Sequence, residues 1–463
     1  MPRNHALVLP DALTKLPDAP LDCAKILVQY RPADAAEALN RIDTEAAGRV
    51  LAAMQVEAAV HVFNEPHLDE PEKLIELLPI EQAVAVLKEL YPDCRANIFR
   101  KLSPGARERL AARLDPSMRE ALEKLLAYPP HSAGGIMTTE FVSVPADWTV
   151  AQVLKLVSEV GADKESIYAI YIVDPQTKQL VQTVSLRQLL ISDPNAPVIS
   201  IVPKREPIVV TPFTDREDVS RIISKYNLLA VPVIAEDRHI LGIVTVDDVI
   251  DAIIEEFSED VQKFGGTEAF DEPYLKISFA SMVRKRAGWL CVLFLSEMLT
   301  ASAMQHYQAE IEKAVVLALF IPLIMSSGGN SGSQATSLII RALALHEVTL
   351  RDWWRIASRE LPASLALGTL LGVIGILRIV LWQTLGIFDY GQHWPRVALT
   401  VGLALVAIVT FGSMMGSMLP FVLKSFKLDP ATASAPFVAT LVDVTGLVIY
   451  FSIAYVVLAG SLL

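Results

Sequence analysis

The 463 residues are 52% hydrophobic and carry a net charge of −12. Their mean hydropathy of +0.40 is higher than a soluble chain of this size usually reaches. Residues 1–280 hold 28 Lys/Arg and 43 Asp/Glu, whereas residues 281–463 hold 12 and 9, so an acidic soluble part is joined to an apolar membrane part. The acidity argues against a nucleic-acid partner, because phosphate contacts need Lys and Arg. Three distant cysteines, Cys23, Cys94 and Cys291, exclude a disulfide framework. No HExxH or GxxxxGKS/T spacing occurs, which excludes a zincin site and a P-loop pump. The start, MPRNHALVLPDALTKLPDAP, has no continuous apolar core, so no secretory signal is expected.

Residues 1–130 are rich in Ala, Leu, Glu and Arg, with apolar residues at helical spacing. Pro66, Pro79, Pro92, Pro104 and Pro116 recur at steps of 12 or 13, each ahead of a short amphipathic run such as LLPIEQAVAVL. Proline suits the first turn of a helix. The repeat therefore predicts a helical solenoid, either a scaffold or a regulator.

From Gly134 the pattern changes. TTEFVSV, SIYAIYIVD and LVQTVSL read as strands around the helical run TVAQVLKLVSEVG. REPIVVT, LLAVPVI and ILGIVTV repeat the order around DREDVSRIISKY, with Ser185 and Thr245 at equivalent points 60 residues apart. The stretch resembles a pair of cystathionine-β-synthase (CBS) modules, which implies ligand sensing rather than catalysis. Many such modules hold a nucleotide ribose on an Asp just after the last strand. The second module offers Asp247 and Asp248 there, but the first has Gln188, which counts against a nucleotide.

An acidic run follows: Asp247, Asp248, Asp251, Glu255, Glu256, Glu259 and Asp260. On a helix, Asp248, Asp251, Glu255 and Glu259 share one face and repel one another. Such a face is either simply solvated or is bridged to another acidic surface by a divalent cation, which relieves the repulsion.

Apolar segments near 285–306, 314–342, 361–387, 397–423 and 431–462 are each long enough to span a bilayer at about 20 residues. Lys and Arg flank alternate ends, which predicts a cytoplasmic N-terminal part and an outside C-terminus. Arg378 lies out of pattern and is expected to snorkel outward or to line an interior. SSGGNSGSQATS, residues 326–337, predicts either an opened helix with exposed carbonyls or close packing of small residues. Gly368/Gly372 and Gly412/Gly416 have the GxxxG spacing of tight helix pairs. Asp443 sits mid-way along the fifth segment. An Asp at the bilayer centre costs about 2.5–3.5 kcal/mol, so it should face a wet cavity or a partner, and a cation site is the default. One carboxylate is a weak site for a divalent ion. Two copies around a two-fold axis would supply two. The membrane potential favours inward movement by about 2.3 kcal/mol per charge per 100 mV.

HSAGGIMTTEFVSV resembles the lead-in to the CBS pair of the MgtE family of magnesium channels and transporters. SSGGNSGSQATSLIIRALA and LDPATASAPFVATLVDVTGLVIYF resemble that family's second and fifth spans. The resemblance covers the whole chain. It implies a multidomain membrane protein: an α-helical solenoid N domain (1–130), a tandem CBS α/β pair (131–199 and 200–257), a connecting or plug helix (258–280), and a five-helix transmembrane domain (281–463). It implies no enzymatic activity, a homodimer with the pore at its interface, and a multi-pass, lipid-facing place in the cell (inner) membrane. Mg2+ would be taken up down the membrane potential, and cytoplasmic Mg2+ would gate the path closed. The alternatives are transport of Co2+, Ni2+ or Mn2+, or a membrane sensor without transport.

Carried over residue by residue, Asp443 is the pore carboxylate. Ala439 offers a backbone carbonyl one turn earlier, and Gly328 and Asn330 sit at the same level. Asp429, at the cytoplasmic end of the fifth span, joins the gate. Asp248, Asp251, Glu256, Glu259 and Asp260 form the sensing run, together with Asp93 of the N domain. There are departures. Ala435 stands where the family commonly has Asn, which implies a selectivity altered or carried by other groups. YPDCRAN keeps Asp93 but has Cys94 and Asn97 where acids are frequent, and YPPHSAGG lacks the family's acidic linker. Mg2+ gating by the N domain is therefore expected to be weaker, or to need more Mg2+.

Overall fold

The computed structural model describes residues 19–459 apart from 162, 163, 165, 271–273, 275 and 346. The chain divides into two compact units, one up to Glu255 and one from Glu256 on.

In the first unit, nine helices run between Pro20 and Leu126 among the described residues. Pro20, Pro32, Pro71, Pro92, Pro104 and Pro116 lie in the first turn of their helices, where a missing N–H costs no hydrogen bond. The proline rhythm is offset at two points. Pro79 is an N-cap, and Pro66 lies in the turn before the helix Pro71–Leu77. Rows of Ala and Leu, including Ala36, Leu51 and Leu87, bury into a core that continues into the second CBS module at Val231 and Val244.

The first CBS module holds β1 (Val142–Pro145), β2 (Ala169–Val173) and β3 (Leu180–Ser185), with β1 parallel and β3 antiparallel to β2. The second pairs β4 (Ala230–Ile234) with β5 (Ile240–Thr245), antiparallel. The strand expected at REPIVVT shrinks to one parallel bridge, Val210 to Val233. Pro207 and Pro212 bracket it and cannot donate to a ladder. The segment leading into the first module pairs with the second instead. Thr138 and Ile243 exchange two backbone hydrogen bonds of 2.9 Å, and a Cβ on Gly242 would lie 2.5 Å from the Thr138 carbonyl.

Val246–Phe264 is a single helix. This helix begins with the acidic run and takes up residues 258–264 of the connecting helix expected over 258–280, of which 271–273 and 275 lie outside the described residues. It stops at Gly265–Gly266, where Gly266 has φ +76°, a left-handed conformation that glycine adopts without strain.

Among the described residues, five helices are long and apolar enough to cross a membrane: span 1 (Phe279–His306), span 2 (Ile321–Ala344), span 3 (Trp353–Thr384), span 4 (Trp394–Ser425) and span 5 (Ala435–Leu458). Span 2 is helical straight through SSGGNSGSQATS, so the opened helix does not form there. Its hydroxyls bond back to carbonyls one turn earlier, as Ser327 does to Leu323 (2.7 Å) and Ser333 to Gly329 (2.9 Å). Its glycines admit span 4. A Cβ on Gly412 would lie 2.3 Å from the Gly328 carbonyl, and one on Gly416 would lie 2.1 Å from that of Gly332. Gly368 and Gly372 likewise seat span 3 against the backbone of Val406 and Gly402. The small-residue spacings are thus packing devices. Span 4 is the core of the bundle, whereas span 1 has no buried residue. The Arg378 guanidinium lies over the rings of Trp382 (5.5 Å) and Phe320 (6.0 Å). Among the described residues it makes no ion pair with Asp443.

Candidate cation sites

A cavity of about 440 Å³ lies between spans 1, 2 and 5, and Asp443, Ala439, Asn330, Gly329, Ser333 and Glu297 are among its lining. Three of the four expected pore residues are therefore brought together. Gly328 is not among them. It faces the other way, where a Cβ would meet Ile408 at 2.6 Å and Val442 at 2.8 Å. Its neighbour Gly329 turns to Ala439 instead, since a Cβ there would lie 3.3 Å from the Ala439 Cβ. One residue along a helix is a turn of about 100°, enough to exchange a packing face for a lining face. Ser333 also lines a second cavity of about 500 Å³, bounded by Phe264, Gln334, Ser337, Leu338 and Ala435. The two spaces thus meet at one serine, between the end of the acidic helix and the Asp443 cavity.

Carboxylates gather beside Phe264. Lys263 Nζ lies 2.6 Å from Glu259 Oε1 and 2.7 Å from Asp429 Oδ2. Asp429 also accepts a hydrogen bond from the Ala431 N–H at 2.8 Å, which fixes its rotamer. Burial lowers the affinity of Lys263 for its proton, but the hydrogen bonds to Asp429 and Glu259 outweigh this and hold the ammonium above its ordinary range. Asp260 has the opposite situation. Burial, reinforced by the charges of Asp429, Glu256 and Glu259 and opposed by Lys263, pushes its carboxyl up to about 6.

In the first unit, Asp93 is buried at 6% exposure, and its Oδ1 has no hydrogen-bond partner. Burial pushes its carboxyl up. Hydrogen bonds from Cys94 and from its own backbone pull it down, and the charge of Asp247 raises it again. Asp247 is thus the residue of the acidic helix that faces Asp93. Asp248 is engaged in capping its own helix, accepting from the Thr245 N–H at 3.3 Å and from the Thr245 hydroxyl. Asp251 is half-buried. Burial raises its carboxyl, with Asp247 and Glu255 adding and His67 opposing. Glu255 pairs with Arg216 at 2.7 Å. In the first CBS module Gln188 has the same capping role as Asp248, with Oε1 3.0 Å from the Ser185 N–H.

Residues 30–131 match the MgtE intracellular N domain, residues 133–193 and 198–255 the CBS domain, and residues 321–453 the MgtE divalent cation transporter domain. The magnesium transporter MgtE of Thermus thermophilus is 38% identical over 337 residues, 73% of this chain and 72% of that protein. The chain belongs to the MgtE family. The magnesium transporter MgtE of Enterococcus faecalis is 35% identical over 333 residues, 72% of this chain and 70% of its own. A solved structure of the cytosolic domain of the Mg2+ channel MgtE in complex with ATP is 34% identical, covers 49% of this chain and 92% of that one, and superposes with a TM-score of 0.46.

As an MgtE-family member the chain is a multi-pass membrane transporter and not an enzyme. Three residues of the sites escaped sequence reasoning, Glu297, Lys263 and Ser333, and Asp247 was read in the acidic run but not as the neighbour of Asp93. Glu297 sits in an apolar run, LFLSEMLT, as the one acid of span 1. Its depth past the RKR at 284–286 was the signal that could have marked it.

Proposed function

We propose that the chain takes up Mg2+ down the membrane potential through the Asp443 cavity and is closed by cytoplasmic Mg2+. The observation that carries this is Ser333, shared by the Asp443 cavity and the space beneath Phe264. It supports one route, with a wet carboxylate site at its inner end and a cytoplasmic aromatic stopper at its mouth. The Arg and Lys at 284–286 support a reading in which the start of span 1, and so the acidic helix, lies on the cytoplasmic side of the cell (inner) membrane. The protein works as a homodimer with the route at its interface.

Closure rests on acidic groups held together against their repulsion. Asp93 has a buried oxygen without a partner and feels the charge of Asp247, which fits a divalent cation with oxygen ligands. Asp260 is destabilised as an anion where Asp429, Glu256 and Glu259 surround it, and a cation there, with Asp248 and Asp251 further along the helix, favours the closed arrangement. This is a two-state device biased by differential ion binding. A nucleotide at the CBS pair has less support, because Gln188 and Asp248 both cap helices.

The test is Mg2+ uptake by proteoliposomes under an imposed inside-negative potential, with Asp443→Ala as the paired variant. Potential-driven uptake that is lost in the variant is expected. Uptake that survives it moves the pathway elsewhere. An inert native protein that takes up Co2+, Ni2+ or Mn2+ instead reassigns the ion, and inertness to all of them leaves the sensor reading.

A further inference from the structure

One carboxylate per chain is a poor match for a divalent ion, and a two-fold axis is one remedy. Span 1 offers another. Glu297 lines the same cavity as Asp443, and the two are close enough to interact electrostatically.

Their depths agree. Trp289 Nε1 donates to Ser434 Oγ at 3.1 Å, which sets Trp289 of span 1 level with the start of span 5. Tyr307 stacks on Phe451 at 4.8 Å near the other end, so spans 1 and 5 run parallel. Glu297 is eight residues past Trp289 and Asp443 nine past Ser434, about 12 and 13 Å along the helix axes at 1.5 Å per residue. Both carboxylates therefore stand well inside the apolar layer. An acid there needs water or a counter-charge. Among the described residues neither side chain makes an ion pair or a hydrogen bond. Thr300, one turn past Glu297, lines the same cavity and buries a hydroxyl oxygen that has no hydrogen-bond partner. The cavity's roughly 440 Å³ exceeds the volume of six waters, about 180 Å³ at some 30 Å³ each. Mg2+ gives up its waters reluctantly, and here it need not.

We propose that Glu297 is a second cation-binding carboxylate of this cavity, so that each chain of the dimer brings a carboxylate from span 1 as well as one from span 5 to the ion on the route. The ion keeps much of its water. That water donates to Asp443, Glu297 and the Ser326, Ser333 and Thr300 hydroxyls that share the lining. This rests on the transport reading and adds the residue that sets affinity for the divalent ion.

The experiment is the external-Mg2+ dependence of uptake by proteoliposomes under fixed potential and low internal Mg2+, for native protein, Glu297→Gln and Glu297→Asp. Size-exclusion and thermal unfolding check the fold of each, and Glu297→Ser is the second neutral variant if Gln does not fold. The neutral variant is expected to raise the half-saturating Mg2+ at least tenfold with a smaller change in maximal rate, while Glu297→Asp stays within about threefold of native. Half-saturation of the neutral variant within twofold of native overturns the proposal. So does an Asp variant as weak as the Gln one, since charge would not be the property that matters. A native protein that takes up no Mg2+ overturns the transport reading, and this inference with it.

Discussion

The two acidic places in the membrane unit differ in how their charge is answered. Beside Phe264, Glu259 and Asp429 are bridged by the ammonium of Lys263, a cation that the chain supplies itself. In the cavity, Glu297 and Asp443 have no ion pair among the described residues, and the Arg378 guanidinium of span 3 is spent on Trp382 and Phe320. A tethered cation can hold carboxylates together but cannot travel. Carboxylates left without one must draw a mobile ion. The first arrangement suits a latch and the second a pathway.

The comparison can be broken most severely by giving the cavity its own cation. Asn330→Lys should reduce Mg2+ uptake more than 100-fold while the protein keeps its fold, because an ammonium on the cavity lining replaces the mobile ion there. Uptake within tenfold of native would mean that the cavity is not on the route.

Removing the tethered cation from the latch is the next largest change. In Lys263→Met, Glu259, Asp260 and Asp429 face one another without a counter-charge. Protease protection of the helix Val246–Phe264 in Mg2+-free buffer should fall several-fold and return when Mg2+ is added. Protection unchanged without Mg2+ would show that Lys263 does not hold the latch.

Asp260 gives the comparison a pH dependence. Its carboxyl is raised to about 6 in the apposed arrangement. A group raised in this way stabilises that arrangement below its ordinary value near 3.8, and this contribution is lost as pH rises through 6. A proton on Asp260 therefore does part of the work of Mg2+. The Mg2+ needed for half-maximal protection should fall as pH falls from 7 to 5, and Asp260→Asn should flatten that slope. A slope that persists in the variant assigns it to another group.

The smallest effect concerns Asp93. A buried polar atom without a partner costs about 1–3 kcal/mol, and the raised carboxyl of Asp93 is costly when ionised. Asp93→Asn should raise the Mg2+-free melting temperature of the cytoplasmic domains by a few degrees at pH 7. It should also shrink the further rise that Mg2+ produces. An unchanged Mg2+ increment would remove Asp93 from the sensor, and the weaker N-domain gating inferred from Cys94 and Asn97 would then become its loss.

Hydropathy, charge flanks and the 60-residue repeat made the spans, the CBS pair and the solenoid legible in the sequence. What was not legible turns on single residues. Gly328 and Gly329 differ in face by one helical step, as do Asp247 and Asp248, and no spacing rule says which of an adjacent pair points inward. The Gly/Ser run of span 2 reads as a break by water-soluble standards. In the bundle its hydroxyls bond within the helix or across to span 4, and its glycines take a neighbouring backbone. REPIVVT has the apolar content of a strand, but its prolines withhold the donors.

The carbonyl of Gly328 lying where a Gly412 side chain would stand, with Gly332 and Gly416 repeating this one turn on, has a mechanical consequence. Sliding span 4 along span 2 by one turn, about 5.4 Å, would bring the Cβ of Ile408 to the Gly328 carbonyl in one direction or that of Pro420 to the Gly332 carbonyl in the other. The two helices are keyed together like a splined shaft, which resists axial sliding of one along the other. Span 1, which carries Glu297 and has no fully buried residue, is not keyed to its neighbours in this way.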